Sequence, residues 1–508
     1  MTMNLILKHK NIWCCLLTAV LTGITSCNSY LDVRPQGQID QEASALDPAT
    51  AQKLVIGVYN TMWEGDMHGF AFVQMTNIAS DDADKGSNTG DDMPNSGALD
   101  NLTMDGSVNT LNNTWRLFYL GVSRANQALS SLEGSTLDET LKNQLIGEVR
   151  FLRAYFYFEL VRFFGGVPLI DKVLTPQEAS SATYQTKASE DEIYALIIGD
   201  LEYALTNVAV KGGPNSEVGR ATKGAAAGML AKVMLYRQNW QRAFSLSDSV
   251  ITQKVGAYGL ADNYFEIFRE EGANNEESLF EVQTGINSAC EAAIANFAEC
   301  QAPRAGGKFG WADLGWGFGT PSQSLADEYD DGDLRAAATM ITINPNGTFL
   351  FDGFRVPSRD SVENDRYNYK SYHSQIVEGN CGNRGRLPKN LRILRLAEVL
   401  LIHAEAALAL NNPGAAIGDI NALHPRAGLG PVGSVTRESI WHEKRVEMGM
   451  EYDRFFDLIR QDKIEPGRAA AAFTAHGKTF NARNKVFPIP QRQIDLGGGN
   501  LIQNDGYN

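Results

Sequence analysis

Cysteine is scarce in this chain, six in 508 residues. They include neither a Cys-x-x-Cys pair nor a Cys/His cluster, so the sequence offers no zinc site. Positive charge is also in deficit. Forty-five Lys and Arg stand against sixty Asp and Glu, a formal charge of −15. No stretch concentrates basic residues on one face, which argues against nucleic acid as a partner. Signatures of several enzyme classes are missing too. There is no Gly-x-Ser-x-Gly nucleophile elbow. His442-Glu443 lacks a second His at zincin spacing, and Gly477-Lys478-Thr479 has Ala472 where a phosphate-binding loop needs glycine. Nothing in the motifs calls for a metal or an organic cofactor.

What is present is a normal folded composition, 43% hydrophobic and 21% charged. Leu391, Leu394, Ala397, Leu401, Ala404 and Leu408 recur at steps of three and four, which places them on one side of a helix. Asn411-Asn412-Pro413-Gly414 interrupts it, and a second apolar-periodic run starts at Ala415. Ala404 and Ala416 are twelve apart, and Ala231 and Ala243 repeat that spacing around Trp240. A small residue on each side of a tight turn is the pattern of a tetratricopeptide (TPR) hairpin. One such hairpin cannot bury its own apolar side, so hairpins must stack. The expected fold is therefore mainly α.

Other helices are expected at Thr50–Trp63, Leu111–Leu132, Leu141–Phe164, Ile193–Leu205, Ala221–Ile251 and Arg437–Ile459. The stripe Phe151, Tyr155, Phe158 and Val161 reads as core. Asp66–Thr110 is rich in Gly, Asp, Asn and Ser, and reads as a long loop, either functional or disordered. From about Gly256 to Lys389 the helical pattern mostly fails. Leu279–Val282 and Met340–Ile343 read as short strands, with the glycines from Gly306 to Gly319 and the aromatics Phe309, Trp311, Trp316 and Phe318 between them. Tyr367, Tyr369 and Tyr372 read as one side of a strand.

The start of the chain reads as a leader. Lys8, His9 and Lys10 precede Ile12–Leu21, an apolar run too short to span a bilayer comfortably. Ile24-Thr25-Ser26-Cys27 resembles a bacterial lipobox. Residues 1–26 would leave, and a lipidated Cys27 would anchor the chain by acyl burial, at about 0.8 kcal/mol per methylene. Cys290, Cys300 and Cys381 remain. They allow one disulfide at most, with Cys290–Cys300 the expected pair.

Several blocks, in order along nearly the whole mature chain, resemble the SusD/RagB family of outer-membrane glycan-binding lipoproteins. They are Cys27 with Tyr30-Leu31-Asp32, Arg150-Phe-Leu-Arg-Ala-Tyr-Phe-Tyr-Phe-Glu-Leu-Val-Arg-Phe-Phe-Gly-Gly-Val-Pro168, and Ile393–Leu401 with His403-Ala-Glu-Ala406. Arg426-Ala-Gly428, Glu443-Lys-Arg-Val-Glu447, Tyr452-Asp-Arg-Phe-Phe-Asp-Leu458, Phe487-Pro-Ile-Pro490, Gln503-Asn504 and Gly506-Tyr507 complete the set. His424-Pro425, Gly497–Asn500 and Asp505 depart from the family pattern, all in loops. The resemblance implies four TPR-like helical pairs with an irregular ligand-binding insertion. It divides the mature chain into 27–255 and 256–508, within one body. It also implies a partner, a TonB-dependent outer-membrane transporter of the SusC kind, to which bound oligosaccharide or polysaccharide is passed.

A sugar site needs flat apolar faces and a few polar groups. Trp311 and Trp316, which helical periodicity does not explain, are the first candidates; Phe72, Asp81 and Asp82 in the first long loop are the second. Asp82–Asn88 hints at a calcium loop, but its glycine is one position early and no closing Glu follows; a solvated acidic loop is the expectation, with no metal. Acidic residues such as Asp313, Asp327 and Glu328 are too common here to argue for a hydrolase by themselves. His403 and His424 read as structural. The sequence thus favours a binding protein over an enzyme. A surface glycan hydrolase and a protein-binding TPR scaffold are the alternatives. Cys27→Ala is expected to move the protein from the membrane fraction to the soluble one on cell fractionation.

Overall fold

Helix boundaries follow from capping side chains and the apolar spacing. The computed structural model describes residues 47–285, 291, 293–305 and 314–507. Helix α1, Pro48–Tyr59, is capped by Asp47. Then come α2, Asn109–Glu133, and α3, Glu139–Phe164, capped by Asp138. Helix α4, Glu190–Asn207, carries a Ser189/Glu192 capping box. Thr222 caps α5, Lys223–Tyr236, and Asn239 caps α6, Trp240–Ile251. The last pair is α7, Leu396–Ala409, and α8, Pro413–Ala427, which starts at a proline and closes on left-handed Gly428.

Each of these helices packs on the next in chain order, as four successive antiparallel-type pairs. The molecule is mainly α, as the hairpin spacing requires. Ala231, Ala243, Ala404 and Ala416 are fully buried, where small side chains let helix axes approach. Phe151, Tyr155, Phe158 and Val161 of α3 lie in the main core. That core draws residues from both halves of the chain.

Strands are short. The ones that matter here are β1 Ala83–Gly86, β2 Ser278–Val282, β3 Phe318–Pro321, β4 Met340–Thr342, β5 Arg366–Asn368 and β6 Leu391–Arg395. They pair antiparallel as β1–β3, β2–β6 and β4–β5. Three differences from the sequence reading have physical causes. Leu391 and Leu394 belong to β6 and not to the first turns of α7, because a short apolar run suits a buried strand as well as a helix. Gly228 on α5 admits this sheet: a Cβ there would lie 2.7 Å from Leu279 Cδ2 and 2.8 Å from Leu394 Cδ2. Second, Arg437–Ile459 is two helices, α9 Arg437–Met448 and α10 Arg454–Asp462. Met450 (φ 64°) and Tyr452 (φ 70°) make the break in left-handed conformations that non-glycine residues adopt at a cost. Third, Tyr367 alone lies in β5; Tyr369 and Tyr372 follow the strand, and all three share a small core with Ile341 and Val356.

Cysteine pairing is also corrected. Cys300 is a buried free thiol that donates to the Phe297 carbonyl at 3.4 Å, while Cys381 is disulfide-bonded. The expected Cys290–Cys300 bridge is therefore not formed, and burial pushes the Cys300 thiol pKa up.

The break between α9 and α10 is organised by buried charge. Glu447 at the end of α9 is fully buried and accepts from Arg395 at 2.6 Å, Arg426 at 2.6 Å and Arg335 at 3.0 Å. These three cations come from β6, α8 and the insertion. Arg395 also reaches Glu277 at 2.7 Å and Glu451 at 2.7 Å, and Lys370 reaches Glu451 at 2.7 Å. Burial alone would raise the Glu447 pKa, but Arg426, Arg395 and Arg335 outweigh it and hold the carboxyl well below the usual range. A depressed carboxyl adds stability that is complete above its unfolded value, about 4.3, and is lost as pH falls toward the folded value. Unfolding free energy by urea titration is therefore expected to decline steadily below about pH 4.3. Glu447→Gln should cost about 1–3 kcal/mol at pH 7 and make that decline shallower, because Arg395, Arg426 and Arg335 each lose one buried carboxylate while keeping Glu277, Glu451, Asp333 or Glu443.

Candidate functional site

Three chain segments meet at one place on the surface: the turn after α1, residues 293–305 with 314–318, and residues 383–386. Each is tied to the helical body by buried contacts. In the first, His68 is buried between the Met62 carbonyl, 2.8 Å from Nδ1, and the Tyr155 hydroxyl of α3, 2.7 Å from Nε2. Burial pushes its pKa down to about 4, so it is a neutral strut at physiological pH. Trp63 donates from Nε1 to the Gln283 carbonyl at 2.5 Å, joining this turn to the end of β2. Phe70, two residues beyond His68, is half-buried.

In the second segment, Trp316 is half-buried against the main core. Its ring meets Phe70 edge-on at 5.6 Å, and Phe70 in turn leans on Phe318 at 4.7 Å. Backbone bonds fix the Trp316 position: Trp316 N donates to Glu299 O at 2.9 Å and Gly317 N to Ala302 O at 3.0 Å. Gly315 makes this approach possible, since a Cβ there would lie 2.0 Å from Glu299 O. The glycines seen in the sequence thus serve close packing here. Beneath, Gln301 donates to the Tyr452 hydroxyl at 3.1 Å and accepts from Asn368 at 2.8 Å, linking the segment to the α9–α10 break and to β5.

The third segment brings polar groups. Asn296 N donates to Gly385 O at 2.7 Å. Arg384 Nε lies 3.7 Å from Glu299 Oε1 and has no hydrogen-bond partner among the described residues. The Arg384 side chain, 38% exposed, thus pairs with the same Glu299 whose carbonyl seats Trp316. Asp66 lies in the same turn as Trp63, and its pKa is raised by burial despite bonds from Ala71 and Phe70 N–H. The arrangement can stack a flat apolar ring face and hydrogen-bond its rim.

Of the residues expected from sequence, Trp316 is at this place. Trp311, Cys27 and Asp313 lie outside the described residues. Phe72, Asp81 and Asp82 are corrected. Phe72 is 4% exposed and packs on His68 and Tyr452. Asp81 and Asp82 are each 1% exposed, held by Arg454 (2.7 Å to Asp81) and Arg445 (2.8 Å to Asp82) from the two ends of the α9–α10 break. These side chains offer no face to a ligand; they fasten the first long segment, which is folded and largely buried rather than open. The suspected calcium loop holds the Lys85 ammonium, 3.1 Å from Gly86 O, 2.7 Å from Asn88 O and 3.1 Å from Asp91 O. Asp327 accepts from Gln323 at 2.5 Å and Glu328 pairs with Arg445. His403 bonds Asp419 at 2.7 Å and His424 bonds Gly430 O at 2.7 Å. Sequence reasoning missed Phe70 and Arg384. Phe70 follows Gly69 inside the segment flagged as functional, but a lone Arg384 in a polar stretch carries no signal.

The geometry can be set beside known proteins. Residues 276–507 match the model described as the SusD family, and residues 29–235 match one described as starch-binding, associating with the outer membrane. A SusD-like protein of Bacteroides ovatus is 28% identical over 92% of this chain and 85% of its own. SusD-like protein P2 of Formosa agariphila is 27% identical over 96% and 98%. A solved structure titled as a laminarin-binding SusD-like protein superposes with a TM-score of 0.75 at 27% identity, covering 91% of this chain and all of that one. With the two models falling in order on the two halves of the chain, and that structure superposing over 91% of it, this chain belongs to the SusD/RagB family.

Proposed function

We propose that this protein is a cell-surface lipoprotein that binds extracellular glycan by aromatic stacking and delivers it to a TonB-dependent outer-membrane transporter of the SusC kind. The observation that carries the reading is the half-buried Trp316–Phe70 pair, with Trp316 clamped from behind by backbone bonds to the turn that also holds Glu299, the ion-pair partner of Arg384. Pyranose rings have an apolar C–H face and a polar rim, which is what such an arrangement recognises. Two likenesses support the ligand class: residues 29–235 match a family described as starch-binding, and a laminarin-binding SusD-like protein shares the fold at 27% identity. Trp311, five residues before Trp316, is assigned to the same ligand. Cys27 is assigned the lipid, placing the protein at the outer membrane with its loops facing outward. The role is capture without bond cleavage.

Trp316→Ala and Trp311→Ala are each expected to weaken polysaccharide binding in affinity gels about tenfold, the equivalent of about 1.4 kcal/mol. Circular dichroism and melting temperature should stay at wild-type values. Unchanged retention of every polysaccharide by both variants, or loss of helicity in both, would place the rings in the frame instead of the site.

A further inference from the structure

A second aromatic cleft lies beside α2, built from residues that the loop site does not use. Its volume is about 320 Å³, and its walls include Trp115, Arg116 and Tyr119 of α2, Tyr184 and Gln185 of the turn Ala182–Gln185, and Gln493 of the short C-terminal helix Gln491–Leu496. That size is at the small end of ligand sites, about 300–1,000 Å³, and suits one or two sugar rings rather than a long chain.

The aromatic wall is fixed by its own packing. Trp115 meets Phe164 edge-on at 5.0 Å and Tyr119 at 5.1 Å, and the Tyr119 hydroxyl donates to Pro168 O at 2.7 Å. No rotamer need be frozen there when a ligand arrives, which removes part of the entropic cost of binding. The polar edge is only partly satisfied. Gln185 is fully engaged, accepting from Asn500 at 2.8 Å and donating to Ala179 O at 3.0 Å. Gln493 donates to Asn112 at 2.8 Å, but its Oε1 accepts no hydrogen bond from any described residue. Arg116 is exposed and makes neither a hydrogen bond nor an ion pair with any described residue. The cleft therefore presents the half-buried rings of Tyr119 and Tyr184 over a floor of buried Trp115, with a free cationic donor and a free amide acceptor at its edge. An apolar peptide side chain would leave both polar groups unmet, whereas sugar hydroxyls donate and accept at once.

The cleft is also placed near the loop site. Gly65, in the turn before Phe70, lies against Leu117 of α2, and Arg116 acts on Asp66 of the same turn, opposing the effect of its burial. We propose that the cleft lined by Trp115, Tyr119, Tyr184, Arg116 and Gln493 is a second saccharide-binding position, taking one or two pyranose rings. It rests on the glycan-binding reading for its ligand class and shares none of the residues assigned to that site.

The test is calorimetric titration of the whole soluble protein with laminarihexaose, maltohexaose, cellohexaose and xylohexaose, comparing wild type, R116A/Y184A and Trp316→Ala. Trp115 is left intact because it is 5% exposed and part of the core. The double variant is expected to lose about tenfold in affinity, or one binding event, for at least one of these sugars. Its melting temperature should be unchanged, and Trp316→Ala should retain the event that R116A/Y184A loses. If R116A/Y184A matches wild type in affinity and stoichiometry for every sugar, the cleft is not a saccharide site. Binding abolished by R116A/Y184A and untouched by Trp316→Ala would uphold the cleft and overturn the loop site. No heat from any of the four sugars counts against both.

Discussion

A carboxylate removed from water must be matched by cations, and at Glu447 those cations arrive from three separate stretches of the chain. Arg335 belongs to the irregular insertion, Arg395 to β6, and Arg426 to α8. The charge cannot be satisfied unless all three stretches converge on the end of α9. Such a network adds little net stability over an apolar replacement, since desolvation offsets most of the Coulomb gain. Its value is in what it forbids: any alternative docking of the insertion separates Arg335 from Glu443 and Glu447, and parting buried charges costs several kcal/mol. The same logic repeats one turn on, where Lys232 and Lys444 share Glu398 and Asp453, and Arg460 grips Glu405 with two bonds at 2.7 and 2.8 Å.

From this spine the geometry of the loop site follows. Tyr452, held in a left-handed conformation at the break, bonds Gln301 and packs on Phe72 and Phe297. Gln301 sits in the turn whose carbonyls seat Trp316. Arg445 and Arg454 hold Asp81 and Asp82, and so the first long segment, whose β1 pairs with β3. The aromatic pair at the surface is thus set by groups buried beneath it. A pair held in this way would bind the proposed glycan at a reduced ordering cost.

The stacked hairpins were legible because helical periodicity and small-residue spacing are local signals. Ala231, Ala243, Ala404 and Ala416 all lie where their spacing puts them. The charged blocks around Glu443–Glu447 and Tyr452–Asp457 were legible only as a resemblance, since their partners are distant in sequence. Arg445 and Asp82 are 363 residues apart, and no window spans that distance. This is also why Asp81 and Asp82 looked like acidic loop residues. An Asp-rich, glycine-rich stretch reads as solvated unless the buried arginines that neutralise it are known. The α9–α10 break was hidden because apolar spacing continues across Gly449, and β6 because five apolar-rich residues fit either structure. Trp316 stood out by elimination, as an aromatic that no helix needed. Its contact with Phe70, and the pairing of Arg384 with Glu299 below it, became visible only once the three segments met.

The central claim is that buried charge makes insertion and helical body one cooperative unit. Native-state hydrogen exchange across a urea series addresses it directly. The account predicts that amides of β4, β5 and residues 299–303 open with the same free energy and urea dependence as those of α7 and α9. If the insertion instead exchanges through a smaller, separate opening while α7 and α9 stay protected, the charge network does not hold the site in place, and the account fails.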